Sequence, residues 1–348
     1  MTTQLFTALI GLLLAVALMT ALAFGPVPVS LRELGIWSMH WSPMTLPELP
    51  RHVAIVLGDI RLPRVLMGLM IGASLAMAGA AIQGLFRNPL ADPGLIGVSS
   101  GAALAALAVI VLGNSILAGF MATFGFLALP FAAFLGALLV TWVIYSIAKL
   151  TPGGSQVTTL ILAGVAITAF SGAVSGLLTY LADDAELRSF TFWSMGSLAS
   201  VTWRDLAIAA PWMSISLIGF PLMAGALNVM LMGESVADHL GIDPDRIRRR
   251  VFVLTALAVG AGVSVAGMIG FVGLVVPHLV RLALGPDHRA LIPLSGLVGA
   301  ALLVWADILA RLLVAPAELP IGIITALLGG PFFLYLLMRQ TTEGIQHD

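Results

Sequence analysis

Cysteine is absent from the 348 residues, lysine occurs once, at Lys149, and only 9% of the chain is charged. Without cysteine there are no disulfides, no thiolate metal sites and no cysteine nucleophile. A soluble domain carries about 25% charged residues, so this chain cannot cover a water-facing surface. No glycine-rich loop runs into Gly-Lys-Ser or Gly-Lys-Thr. The phosphate cradle of a P-loop is therefore excluded, and work driven by ATP requires another subunit. The six histidines form no His-Glu-x-x-His, no ligand pair at helical spacing and no triad spacing. Neither an enzyme centre nor a permanently bound metal or cofactor is expected. A net charge of -1 gives no global field for nucleic acid.

What remains is apolar: 59% of residues are hydrophobic and mean hydropathy is +1.07. Runs near 20 residues recur along the whole length, enough to cross roughly 30 Å of hydrocarbon. Backbone groups in lipid must pair internally, so the runs are helices, and their length excludes an alternating outer-membrane barrel. The pattern predicts an all-α polytopic membrane protein, one transmembrane domain over 1–348 with about ten spans. These are 4–25, 62–86, 94–113, 120–148, 157–181, 206–232, 251–268, 270–284, 291–313 and 321–338. The first run lacks the positive n-region of a signal peptide and is too long for its apolar core, so it reads as a retained helix. Residues 26–60 and 182–205 are outer segments, and 233–250 is the only long hydrophilic insertion in the second half.

An even number of spans places both termini on one side. The cluster Arg246 to Arg250, in a short loop beside a span, puts that side in the cytoplasm. Gly72, Gly79 and Pro89 are matched in spacing by Gly260, Gly267 and Pro277 in segments running oppositely. That is the mark of an inverted repeat, although a glycine-rich chain also yields such matches by chance.

Several polar residues stand out against this background. Arg61 and Arg64 lie one helical turn apart at the outer mouth of the second span and point the same way, with Arg311 at the outer end of the ninth. They are either snorkelling side chains or an anionic docking patch. Asp307 is intramembrane and pairs with Arg311 four residues on, in preference to acting as a proton relay. In 233–250 a short amphipathic helix would set Val236, Ala237 and Leu240 on one side, closed by Gly241. It is either a connector or a docking helix for a cytoplasmic ATPase. Pro89 and Pro93 make the turn at Asn88 and Leu90 rigid, at the inner pore mouth. Thr158 and Thr159 begin the fifth span at the same depth. Arg188 among Phe190, Phe192 and Trp193 fits an interfacial aromatic belt or a flat apolar substrate bearing carboxylates. His40 and His52, in the outer loop, are candidates for transient contact with haem iron.

The motifs Arg61-Leu-Pro-Arg64, Gly84-Leu-Phe-Arg-Asn-Pro-Leu-Ala-Asp-Pro-Gly94, Ile96-Gly-Val-Ser-Ser-Gly101, Leu162-Ala-Gly-Val-Ala166, Gly233 through Gly241, Gly270-Phe-Val-Gly-Leu-Val-Val-Pro-His278 and Pro320-Ile-Gly-Ile323 occur in this order along the chain. Together they resemble the FecCD-like permeases, which serve importers of iron chelates, haem and cobalamin. The resemblance implies a type II ABC importer fold in the bacterial inner membrane. It implies two permease copies around one path, two cytoplasmic ATPases that bind ATP, and a periplasmic binding protein. By the same resemblance Arg61, Arg64 and Arg311 receive acidic residues of the binding protein. Glu234, Val236, Ala237, Leu240 and Gly241 belong to the helix that couples to the ATPase. Asn88 and Leu90 match a cytoplasmic gate, joined by Val157 and Thr158, which depart from the family's small polar pair. Leu187 to Leu198 is similar to haem permeases, so haem is the expected cargo and Arg188, Phe192 and Trp193 line its path. Ferric siderophores and cobalamin are the alternatives within the class. An ion-coupled secondary transporter, for which Asp307 and the repeat speak, is the alternative outside it.

Overall fold

A computed structural model describes residues 2–39, 49–150 and 156–345. His40 lies outside the described residues, as does the side chain of Val157. The described chain is helical. In order it forms α1 (Thr3–Ala23), α2 (Leu31–Met39), α3 (Arg51–Ile55) and α4 (Leu62–Phe86), then α5 (Val98–Leu112), α6 (Ala118–Phe124), α7 (Ala128–Leu150) and α8 (Gln156–Leu181). The second half holds α9 (Asp184–Ser194), α10 (Trp203–Leu231), α11 (Glu234–His239), α12 (Pro244–Ala266), α13 (Val272–Leu284), α14 (His288–Leu312) and α15 (Ile321–Ile345).

Among the described residues seven helices are long and apolar enough to cross a membrane, and α5, α13 and the apolar part of α15 are shorter. Every predicted span has a helical counterpart, but three boundaries differ for local reasons. The second run starts at Arg51, because α3 passes through a π-turn, Val56–Arg61, into α4. Pro63 has no N–H to give to residue 59, and the wider turn, with Leu62 donating to Leu57, absorbs that loss. The fourth run is broken by Gly125, at φ 54, between α6 and α7. The seventh begins at Pro244, since Asp243 caps the Arg246 N–H and Pro244 suits a first turn, so the basic cluster is helical.

α4 is the central post. Apart from Arg64, Ser74 and Gln83 its side chains are apolar on every face, as suits an enclosed helix, and it packs against α10, α12, α13 and α14. Glycine permits the closest approaches. A Cβ on Gly72 would stand 2.2 Å from the Gly299 carbonyl oxygen, and one on Gly79 would stand 1.8 Å from that of Gly273. No side chain fits either gap, so backbone meets backbone there.

The neighbour relations carry an internal symmetry. Exchanging α4, α5, α7 and α8 for α12, α13, α14 and α15 turns the α4–α14 contact into α12–α7 and α5–α7 into α13–α14. It likewise turns α5–α8 into α13–α15, α7–α8 into α14–α15, and α4–α13 into α12–α5, and every one of these contacts is present. Gly72 faces α14 while Gly260 faces Phe134 and Ala137 of α7, as the exchange requires. The match fails elsewhere: Pro277 lies inside α13, whereas Pro89 lies in the turn between α4 and α5.

Candidate functional site

At one end of the molecule α1, α4 and α14 converge on an arginine–carboxylate network. Arg64 leaves α4 and grips Asp307 of α14 with Nε and Nη2, at 3.0 and 2.9 Å from Oδ1. Its Nη1 donates to Glu318 Oε1 at 3.1 Å, from the loop before α15. Arg311 Nε stands 3.2 Å from Asp307 Oδ2, so the i,i+4 pair expected from sequence is formed, with Arg64 as a second partner. Arg61 and Arg311 also close the carboxyl end of α1. Arg61 donates to the carbonyls of Leu22, Ala23 and Val27, and Arg311 Nη1 donates to Ala21 O at 3.2 Å. The Ala21, Leu22 and Ala23 carbonyls form the negative pole of the helix, with Val27 O just beyond it, and they balance the excess of cations over the two carboxylates. A Cβ at Gly25 would touch the Arg61 guanidinium at 2.7 Å, so glycine keeps this approach open.

In the single chain these arginines are not an open surface patch. Arg61, Arg64 and Arg311 are 3%, 6% and 3% exposed, and each is already engaged within the chain. Nor do Arg61 and Arg64 point the same way: one reaches α1, the other α14. Glu318 is the partner that sequence reasoning missed. It is a lone acid in a proline-flanked loop, and no local pattern links it to a residue 254 positions away.

The opposite end carries α11, held between α10 and α12 by two glycines with positive φ, Gly233 at 118 and Gly241 at 78. Val236 and Leu240, four residues apart, form an exposed apolar pair. Ala237 is fully buried and so points into the protein, not along the Val236–Leu240 side as the sequence suggested. Glu234 is not a free acid either. It pairs at 2.9 Å with Arg248, which is 2% exposed and also binds Asp245. The short helix is thereby clamped to the base of α12, and it presents Val236 and Leu240 outward beside the exposed polar residues Ser235, Asp238 and His239.

The turn after α4 is built by capping. Arg87 takes the left-handed conformation at φ 50, Asn88 Oδ1 accepts from Leu90 N at 2.9 Å, and Asp92 Oδ1 accepts from Gly94 N at 2.7 Å. Asn88 is exposed and Leu90 half-buried. Asn88 borders a hollow of about 240 Å³ with Arg87, Arg281 and His288. Thr158 is exposed near the start of α8, and α8 meets the 93–96 turn where Gly164 lies under the Leu95 carbonyl. Next to this turn, Asn228 of α10 donates to Asp287 Oδ1 at 2.6 Å and accepts from His288 N at 2.9 Å, tying α10 to the start of α14.

Arg188 and Phe192 share an exposed face of α9, whose capping box joins Asp183 and Glu186. Trp193 is half-buried and stacks on Phe190 at 6.2 Å. The loop that follows is stitched to two helices: Ser197 N donates to Ala266 O at 2.8 Å and Ile321 N to Gly196 O at 2.9 Å. Of the aromatic group, Phe192 and Arg188 are free to meet a solute. His52 is exposed in α3, and no group of ligating side chains among the described residues could hold a metal ion.

A post-centred bundle whose described residues include seven helices long and apolar enough to cross a membrane is the architecture of a polytopic membrane protein. The FecCD transport family matches residues 13–339. The chain is 46% identical to the hemin transport system permease protein HmuU of Yersinia pestis, over 82% of this chain and 84% of that one. It is 39% identical to the cobalamin import system permease protein BtuC of Halobacterium salinarum, over 98% and 97%. One solved ABC transporter, in an inward-facing conformation and classed as of the metal-chelate type, superposes with a TM-score of 0.82 at 30% identity, covering 97% of this chain and all of that one. The chain belongs to the FecCD transport family and is a permease of an ABC importer with the type II fold.

Proposed function

We propose that the chain, as a single domain, pairs with a second copy and passes haem from a periplasmic binding protein to the cytoplasm of a bacterium, driven by two ATPase subunits. The observation that carries the cargo is the 46% identity to a haemin permease. The exposed apolar pair Val236 and Leu240 supports α11 as the element the ATPase grips, because among the described residues nothing covers that pair. The basic cluster on α12 supports a cytoplasmic position for α11 and for both termini.

α8 supports a path between two copies. It exposes Thr168, Gly172, Gly176 and Thr179 together with Phe170 and Tyr180, and hydroxyls and small residues suit a solute or a facing helix better than lipid. The turn at Asn88 and Leu90, with Thr158, closes that path at its inner end. Haem has apolar faces and two carboxylates, and Arg188 beside Phe192 answers both at the outer end. A second reading, cobalamin, is favoured by the match to a cobalamin permease over nearly the whole length of both chains.

Competition uptake in the assembled complex separates these readings. Radiolabelled haem should be taken up and be displaced by unlabelled haem, but not by cobalamin or a ferric siderophore. Uptake of cobalamin with no transport of haem would replace the first reading by the second.

A further inference from the structure

We infer that the chain carries a binding site for an anionic phospholipid, straddling α12 where the basic cluster enters the membrane. Four arginines lie within Arg246 to Arg250, and their environments divide them. Arg246 pairs with Asp243 and Arg248 is buried against Glu234 and Asp245. Arg249 and Arg250 are exposed and, among the described residues, form no ion pair, and the same is true of Lys149 at the end of α7. The antiparallel register of α7 and α12 brings two of these cations level. Gly260 lies against Phe134 and Ala137, and Tyr145 meets Phe252 with ring centroids 5.8 Å apart. Continuing that register sets Lys149 beside Arg249.

Below them runs an apolar groove of about 780 Å³ between α7 and α12, bordered by both cations, Trp142, Tyr145 and Val253. Such a volume is ligand-sized. Its wall on α7 reaches from Leu138 to Leu150, roughly 18 Å at 1.5 Å per residue. A second groove, about 340 Å³, lies on the other side of α12 against α10 and shares Arg249 and Val253, with Arg250 at its rim. Arg249 and Val253 thus form a ridge with a channel on each side. One chemistry fits a ridge of this kind: a phosphate over unpaired cations, with an acyl chain lying down each flank. Trp142, 67% exposed, supplies the amphipathic ring that favours headgroup depth. An acidic protein partner would match the cations but not two apolar channels running along spans. Basic grooves between spans on the cytoplasmic side are suited to anionic headgroups, at about 1 kcal/mol per cation.

The test is native mass spectrometry of the full chain in detergent, with equal amounts of phosphatidylglycerol and phosphatidylcholine added. Phosphatidylglycerol adducts should exceed phosphatidylcholine adducts by at least about tenfold, the ratio that 1.4 kcal/mol corresponds to. K149Q/R249Q/R250Q should bring the ratio near one, while R289Q, which neutralises an exposed arginine in the first turn of α14, should leave it intact. Val253→Trp keeps all three cations but fills the channels, and should lower adduct retention. Equal adducts in the unaltered chain, or an undiminished preference in the triple variant, would overturn the site. So would full retention in Val253→Trp.

Discussion

Replacing Arg64 with alanine removes the hub of the α1–α4–α14 network. Asp307 keeps one partner, Arg311 at 3.2 Å, and its side chain is 4% exposed, so it cannot recover hydration. Glu318 loses Arg64 but is 26% exposed and can turn to water. Breaking a buried pair from one side costs about 3–5 kcal/mol, and the surviving Arg311 contact holds this case near the lower end, about 3 kcal/mol. Over 348 residues, an unfolding entropy of about 2.1 cal/mol/K per residue gives ~0.7 kcal/mol/K, so Tm should fall by about 4 °C. That is a minimum, because spans that remain helical in detergent gain less entropy on melting. Thermal melting of purified protein is the assay, with Arg188→Ala as the exposed control, expected within about 0.5 kcal/mol of the unaltered chain. A double-mutant cycle with Asp307→Ala should return a coupling energy of at least about 1 kcal/mol. If Arg64→Ala melts with the unaltered chain yet loses its binding protein, the arginine serves docking and the structural reasoning is wrong.

Gly79→Ala should disrupt assembly of α4 on α13, read as loss of the monodisperse peak on size exclusion, whereas Gly172→Ala, with nothing within 4 Å, should be neutral or stabilising by about 0.5–1 kcal/mol. The double change V236D/L240D should abolish co-purification with the ATPase while leaving Tm within about 1 kcal/mol equivalents, since both side chains already face outward. Asp287 caps α14, and its carboxyl is held below the usual carboxylate range by the Arg289 N–H and then by the Asn228 amide. Its contribution is therefore complete above the ordinary value near about 4 and is lost as pH falls through the depressed one. Asp287→Ala should lower Tm at neutral pH by the equivalent of about 1 kcal/mol, and the gap to the unaltered chain should close on acidification below about pH 4.

The spans were legible because run length and the absence of charge suffice to define them, and the Asp307–Arg311 pair was legible because its spacing is helical. What lay hidden depends on tertiary distance. Nothing local tells Arg64 from a snorkelling arginine; its burial follows from Asp307 and Glu318, more than 240 positions on. Ala237 was misplaced because alanine belongs equally to an exposed or an enclosed helix face, and α11 is too short for periodicity to decide. The helical course of Arg51 to Arg61 was masked by its charges and by Pro50 and Pro63, which read as loop although proline is tolerated in a first turn. The split of the Arg246–Arg250 cluster into paired and unpaired cations required the positions of Glu234 and Asp245 around Arg248.

The most direct test is reconstitution in liposomes loaded with ATP, with the chain alone or with its ATPase and binding protein. Haem should accumulate only in the complete assembly and stop when ATP is withdrawn; accumulation by the chain alone under an ion gradient would contradict a permease moved by a separate motor.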